Sequence, residues 1–298
     1  MLKEIIIKLI VKPFFDAFYT DFSARVRLLR LDLHNFKSKP PILIYSMGKA
    51  GTSTVAASLR YLNIPFHKAH NLSYDGIRGS EQRSLSFKNR KVPPITRAGK
   101  IIRRKIDNNG GPQGINWKII TLTREPIAHA ISNLFQSIEN RNPELIEGNG
   151  ELKNQTVIDK LQSQLEKGDE PSIKWFDREL KEVFDINVYD YPYNHEDGYL
   201  IICVGTVEVL LIRAEDLDRS FQEAIGKFLN LDASIELKLA NIGSDKKFAV
   251  SYKHVKKNII LSANACEKIY QSEYARHFYT ENEREKLIKR WSGGDYSA

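Results

Sequence analysis

Ile42-Leu43-Ile44-Tyr45 is a short apolar run, and a loop of small and hydroxyl-bearing residues separates it from Val55, Leu59 and Leu62, which recur at helical spacing. The run predicts a buried strand and the recurrence a helix that packs by one stripe. Asn63 to Ser73 reads as a second strand and its exit loop, with His67 in or near the strand and His70 at the loop end. Trp117 to Thr123 reads as another buried strand. A helix follows at Pro126, where the missing N–H costs nothing, with Ile127, Ile131, Leu134 and Phe135 as its stripe. Further helices are predicted over 97–105 and 154–166, ended by Asn108-Asn109-Gly110-Gly111-Pro112 and by the break at 168–171. Another begins near Ser172 and carries Trp175 and Phe176. Strands are predicted over 186–191, 199–204 and 207–212, the last two as a hairpin about Gly205-Thr206. Strands alternating with helices predict an α/β fold around a mainly parallel sheet. Residues 1–39 read as a helical lead-in, Lys39-Pro40-Pro41 as the boundary, and 40–298 as one domain.

Composition narrows the ligand class. The chain has 298 residues, 42% hydrophobic and 28% charged, which fits a globular protein with a sizeable core. A net charge of +8 favours anionic ligands: nucleic acid, lipid head groups, a polyanionic nucleotide or an acidic glycan. Neither zinc-finger spacing nor a basic-aromatic RNA motif accompanies the charge, which argues against nucleic acid. Cys203 and Cys266 form no CxxC pair or disulfide framework, so a reducing cytoplasm is expected, with Cys203 in the core. Leu2, Ile5, Ile6, Leu9 and Ile10 recur at helical spacing with lysines between them. That face either lies on an anionic membrane surface or packs on the domain. Lys8, Lys12 and Pro13 break the run before it can span a bilayer, and Glu4 argues against a secretory signal.

The candidate chemistry starts in the loop Ser46-Met47-Gly48-Lys49-Ala50-Gly51-Thr52-Ser53-Thr54. A strand–loop–helix turn of this kind aims backbone N–H groups and the positive end of a helix dipole at one place, which suits a phosphate-like anion. Gly51 is followed by Thr52, so the Gly-Lys-Ser/Thr arrangement that holds magnesium in ATPase loops is missing. Arg124 ends the third strand and Ser132 lies about two turns into the next helix. Helical side chains lean toward the N-terminus, so the two can share one phosphate. For a proton acceptor, His70 is preferred over His67, with Glu125 as a carboxylate alternative that otherwise caps its helix. No metal-ligand cluster is evident in the sequence.

Lys49-Ala50-Gly51-Thr52-Ser53 resembles the Pro-Lys-x-Gly-Thr-Thr loop of sulfotransferases that use 3′-phosphoadenosine 5′-phosphosulfate, with Gly48 for the proline and Ser53 for the second threonine. Arg124-Glu125-Pro126 followed by Ser132 is similar to that family's Arg-x-Pro and serine. Arg213-Ala214-Glu215-Asp216-Leu217 resembles a strand-end motif of the family, with a mainly structural role. From about residue 40 to 292 the layout is similar to bacterial capsular polysaccharide synthesis proteins with a sulfotransferase-like fold. The resemblance implies a three-layer P-loop α/β domain. Gly48 to Thr54 would hold the 5′-phosphosulfate, Lys49 would contact the departing oxygen, and Arg124 with Ser132 would bind the 3′-phosphate. It also implies a strand-end histidine as base, here His70, a late loop closing with Lys247 or Lys256, and a hydroxyl acceptor, foremost a carbohydrate. The nucleotide would be a cosubstrate and no metal would be needed. A nucleotide-dependent kinase on the same fold, or a non-catalytic capsule-assembly protein, are the alternatives. Basic Arg103, Arg104 and Lys105 either line an acceptor groove or form a solvated face, and Trp175-Phe176 either stack on a sugar or pack in the core.

Overall fold

The computed structural model describes residues 40–86, 92–168, 170–231, 235–240 and 247–294. The predicted lead-in over 1–39, with its membrane-facing alternative, lies outside the described residues. In chain order the main elements are β1 Ile42–Tyr45, α1 Thr52–Tyr61, β2 His67–Ala69, α2 Tyr74–Leu85, α3 Pro94–Asn108, β3 Trp117–Thr123, α4 Pro126–Arg141 and α5 Asn154–Leu165. A π-helical segment, Phe176–Lys181, runs into α6 Glu182–Phe184. Next come β4 Tyr199–Val204, β5 Val207–Arg213, α7 Leu217–Leu229, α8 Ala249–Asn258, α9 Ala263–Tyr270, α10 Glu273–Phe278 and α11 Glu281–Trp291. Among the described residues no helix is long and apolar enough to cross a membrane.

The result is a mixed α/β fold around a five-stranded sheet of order β2-β1-β3-β5-β4, in which only β4 runs antiparallel to its neighbour. β3 is buried at every position except Lys118, as expected of a central parallel strand covered on both faces. Lys118 carries its charge out to Glu208 and the Phe228 carbonyl, at 2.6 and 2.7 Å. The registers Tyr45↔Ala69 and Thr123↔Arg213 bring the ends of four parallel strands to one edge of the sheet. The loops after β1, β2, β3 and β5 therefore gather there, where open parallel sheets bind ligands.

Two local expectations are corrected, and one helix was not anticipated. Residues 186–191 form no strand but a 3₁₀ turn at Val188–Asp190, because their apolar side chains are already satisfied by packing, Tyr189 against Phe278 among them. Cys203 is exposed: it lies on the edge strand β4 opposite Glu208, on the outward side of the pleat. Helix α2 has no apolar stripe to announce it, burying only Ile77 and Ser84, and it starts where Ser73 Oγ accepts from Gly76 N.

One carboxylate orders the loop after β2. Glu179, 2% exposed, accepts from Asn71 Nδ2, Leu72 N, Ser73 N and Ser73 Oγ at 2.8–2.9 Å and from the Tyr45 hydroxyl at 2.5 Å. Burial and this neighbour push the Tyr45 hydroxyl well above the usual phenol range, so it stays a donor. Each stranded buried donor costs about 1–3 kcal/mol, so Glu179→Ala should lower the unfolding free energy by at least about 3 kcal/mol in urea titrations. The exposed Glu223→Ala should change it by less than about 0.5 kcal/mol.

Candidate functional site

The loop after β1 is held from three sides. Ser46 Oγ donates to the Leu122 carbonyl and accepts from Leu122 N, at 2.9 and 3.1 Å, which sews the end of β1 to β3. His129 Nε2 donates to the Gly48 carbonyl at 2.8 Å, and Arg124 Nη1 donates to the Lys49 carbonyl at 2.7 Å. Lys49 itself lies in the left-handed region at φ 69°, an uncommon and costly conformation that neighbouring structure must enforce. Gly51 is required: its φ is 92°, and a Cβ there would fall 2.7 Å from Leu217 Cδ1. As the N-cap of α1, Gly51 brings no side chain to satisfy the first N–H groups of the helix, of which Thr54 N donates to the Gly51 carbonyl at 3.0 Å.

These N–H groups border a cavity of about 590 Å³, within the usual range of small-molecule sites. Gly48, Lys49, Gly51, Thr52, Ser53 and Thr54 line it, together with His70, Arg124 and Ser132. Ala50, by contrast, is fully buried and lines none of it. Two lysines and two arginines face this space, Lys49, Lys68, Arg124 and Arg141, and among the described residues no carboxylate does. Burial and the nearby Arg60 charge hold the Lys68 pKa below its ordinary value. Lys68 and Arg141 escaped the sequence reading. The register that pairs Lys68 with Ile44 points it here, and Arg141 is the last residue of α4.

Arg124 is half-buried and its guanidinium donates to the Lys49 carbonyl; among the described residues no carboxylate lies within ion-pair distance of it. Its neighbour in the sheet edge behaves oppositely. Arg213 is saturated by Asp216, Glu283 and the Phe278 carbonyl, which bears out a structural part for the 213–217 motif. Arg124 also lines two further cavities. One, of about 490 Å³, adds Lys247 and Lys256 to Arg124 and Ser132. The other, of about 410 Å³, combines Lys256 and Arg290 with Leu217, Leu237, Leu239 and Leu287. Burial, then the charges of Arg290 and Arg124, hold the Lys256 pKa down. Lys247 is exposed and bonded to Glu139 at 2.6 Å.

His70 sits where the loop and the end of β2 meet. Its Nδ1 lies 2.7 Å from the Ser46 carbonyl, which can only accept, so the proton of the neutral ring is on Nδ1 and Nε2 presents a lone pair beside Gly48. His67 lies within β2, opposite Leu43, and lines none of these cavities. Glu125 is committed to structure: it caps α4 through Ile127 N and Ala128 N and accepts from the Tyr270 hydroxyl. Trp175 and Phe176 are core residues, 7% and 1% exposed, and Trp175 Nε1 braces the His70 carbonyl at 3.1 Å. Arg103 is drawn to Asp107 at 3.0 Å and, with Arg104 and Lys105, lines none of these cavities.

Burial lowers the His70 pKa to about 4, with the charges of Lys68 and Lys49 acting in the same direction against the Ser46 carbonyl. The ring is therefore neutral at pH 7. An NMR titration of the His70 imidazole should show its transition near pH 4 and not near 6.5. The unfolded chain takes the proton first, so His70 should reduce stability as pH falls from 6.5 toward 4, with no contribution above that window.

Residues 153–280 match the model of a family described as "NKWYS: Putative capsular polysaccharide synthesis protein". The matched stretch holds Glu179, the β4–β5 hairpin, Lys247 and Lys256, while the loop, His70 and Arg124 precede it. No curated protein and no solved structure matches the chain. Over that part of its length, the chain is similar to proteins linked by family name to capsular polysaccharide synthesis.

Proposed function

We propose that the protein is a sulfotransferase of P-loop-type fold, moving a sulfuryl group from 3′-phosphoadenosine 5′-phosphosulfate to a carbohydrate hydroxyl. The observation that carries this reading is the 590 Å³ cavity, which has four basic side chains, an uncapped helix N-terminus and no carboxylate on its wall. Such a site suits a ligand with several negative charges. The open guanidinium of Arg124 and the hydroxyl of Ser132 suit a second phosphate beside the one held by the loop. The third cavity, whose wall combines Leu217, Leu237, Leu239 and Leu287 with Lys256, Arg290 and the carboxylates Glu125, Glu215 and Asp218, offers apolar surface and hydrogen-bond acceptors for a purine base. The family match supports a glycan acceptor.

In this reading backbone N–H groups from Gly48 to Thr54 hold the 5′ end and Arg124 with Ser132 holds the 3′-phosphate. Lys256, and Lys247 at the rim, add positive charge. The acceptor oxygen attacks sulfur, its proton passes to His70 Nε2, and the sulfur–oxygen bond to the 5′-phosphate breaks with its electron pair left on that phosphate. Lys49 offsets the charge growing there, a role that preorganised donors fill without reorganisation. A base with a pKa near 4 is weak, yet a bound polyanion favours the imidazolium and raises that value toward the working pH. The donor would thus help to activate the base. A kinase remains the rival chemistry, without a Gly-Lys-Ser/Thr hydroxyl to hold magnesium.

Calorimetry separates the two. Adenosine 3′,5′-bisphosphate should bind without metal and more tightly than ATP with magnesium; tight ATP binding with none for the bisphosphate would refute the proposal. Arg124→Ala should weaken the bisphosphate by at least about 10- to 100-fold, the worth of one or two charge-assisted hydrogen bonds. With labelled donor and a polysaccharide acceptor, His70→Ala should slow transfer by roughly 10²- to 10⁴-fold.

A further inference from the structure

The loop cavity adjoins a larger one, of about 700 Å³, and Gly48 and His70 lie on both walls. The larger wall mixes Arg83, Arg141 and Arg178 with Asp75, Glu179 and Glu182, so neither sign of charge prevails there. His129 lines this second space and not the loop cavity, yet its ring is bonded to the loop. Its Nε2 lies 2.8 Å from the Gly48 carbonyl and its Nδ1 lies 3.1 Å from Glu170 Oε1. The carbonyl can only accept, so Nε2 carries a proton. A carboxylate oxygen and a bare ring nitrogen would repel one another, so a second proton lies between Nδ1 and Glu170. Both side chains are buried, His129 at 7% and Glu170 at 2% exposure. Among the described residues the imidazole is the one side-chain partner of Glu170; Ser172 N adds a contact at 3.3 Å, and Oε2 has no hydrogen-bond partner. A carboxyl group this deep is costly unless something compensates it, and here the ring does so.

The contact bears on the strained point of the loop. Lys49 has φ 69°, and each peptide group flanking it is held by one donor: His129 takes the carbonyl before it and Arg124 the carbonyl after it. Losing either donor frees one side of a turn that only its surroundings enforce. The two donors are not equivalent. Arg124 faces the loop cavity, where a bound anion competes for its guanidinium, whereas His129 stands outside that cavity and touches nothing that binds in it. We propose that His129 and Glu170 are a positioning pair for the anion loop. The carboxylate fixes the ring, the ring fixes the Gly48 carbonyl, and the left-handed turn at Lys49 keeps the shape that receives an anion. Helix α4 also carries Ser132, so the brace and a hydroxyl on the loop-cavity wall share one rigid element. The pair rests on the sulfuryl-transfer reading only for the identity of the anion.

The test reads anion affinity by calorimetry on the full chain, with inorganic pyrophosphate and adenosine 3′,5′-bisphosphate as probes. The amide of His129→Gln can stand where Nε2 stands and donate to Gly48, whereas that of His129→Asn reaches only the Nδ1 position beside Glu170. His129→Asn should therefore weaken both probes by about tenfold or more, the size expected for one charge-assisted hydrogen bond, and His129→Gln should restore most of that loss. Glu170→Ala should weaken them in the native chain but have no further effect in His129→Asn, because the two residues act in series. A merely structural histidine would shift the thermal midpoint in every variant and leave affinity unchanged. Bisphosphate bound equally by all the variants, or a loss that His129→Gln does not relieve, overturns the inference and leaves the donor reading standing. Should His129→Asn fail to fold, weakened binding by folded Glu170→Ala upholds the pair and unchanged binding overturns it. The expected pattern with pyrophosphate, in a protein that does not bind the bisphosphate, upholds the pair and overturns sulfuryl transfer. A native chain that binds neither probe overturns both.

Discussion

The hydrogen bond from Arg124 to the Lys49 carbonyl is the contact on which the site depends. It joins the end of β3 to a loop whose left-handed turn has no low-energy reason to exist by itself. It also fixes a guanidinium in a half-buried place without a carboxylate. Desolvating a charge is costly unless something compensates, and in most proteins that something is a built-in acid, as Asp216 and Glu283 are for Arg213. Two adjacent strands end in arginine here, in register through Thr123↔Arg213. One is neutralised by the fold; the other feels Glu215 only at longer range and, in the proposed reading, meets a ligand phosphate.

Holding that open charge in place takes several residues from distant parts of the chain. Tyr274 donates its hydroxyl proton to the Arg124 carbonyl at 2.8 Å and accepts from Arg124 N at 3.0 Å, while Thr123 Oγ1 contacts the same oxygen. Glu215 accepts from Glu125 N at 2.9 Å, and Tyr270 reaches the Glu125 carboxylate. Glu179 does equivalent work at the His70 end. Apart from Glu215, these are buried groups with good partners, which is the condition under which a polar interior specifies one arrangement. Glu179, Glu215, Tyr270 and Tyr274 come from the stretch that carries the family match, whereas the loop and His70 come from the first quarter of the chain.

That division explains what could be seen from the sequence. Strand, loop and helix around Gly51, and the pairing of Arg124 with Ser132, are local features: the residues that matter lie within a few turns of one another, and periodicity with turn chemistry reveals them. His70 was legible because a short strand ends beside it. Glu179 was not, since its five donors lie more than 100 residues away and its own segment reads only as an amphipathic helix. Arg83 was missed with α2, a helix with two glycines and little apolar surface, stabilised by a serine cap and by packing against α3. The failed strand over 186–191 and the outward Cys203 share a cause. Alternation shows which residues want burial but not whether a sheet edge is free to receive them, nor which side of an edge strand faces solvent.

The electrostatics of the two joined cavities then follow from one another. The first collects four cations; the second carries three arginines and three carboxylates on its wall, and His70 lines both. A neutral imidazole is the only protonation state the empty surroundings favour, because Lys68, Lys49 and burial all oppose a further positive charge there. Negative charge brought into the first cavity would offset the two lysines and raise proton affinity at Nε2, while burial, the largest cause, would still oppose it. In the proposed sulfuryl-transfer reading, a hydroxyl that reached His70 ahead of the polyanion would meet a weaker base. Coupling of this kind would need no moving lid, only a titratable ring placed at the boundary between two cavities.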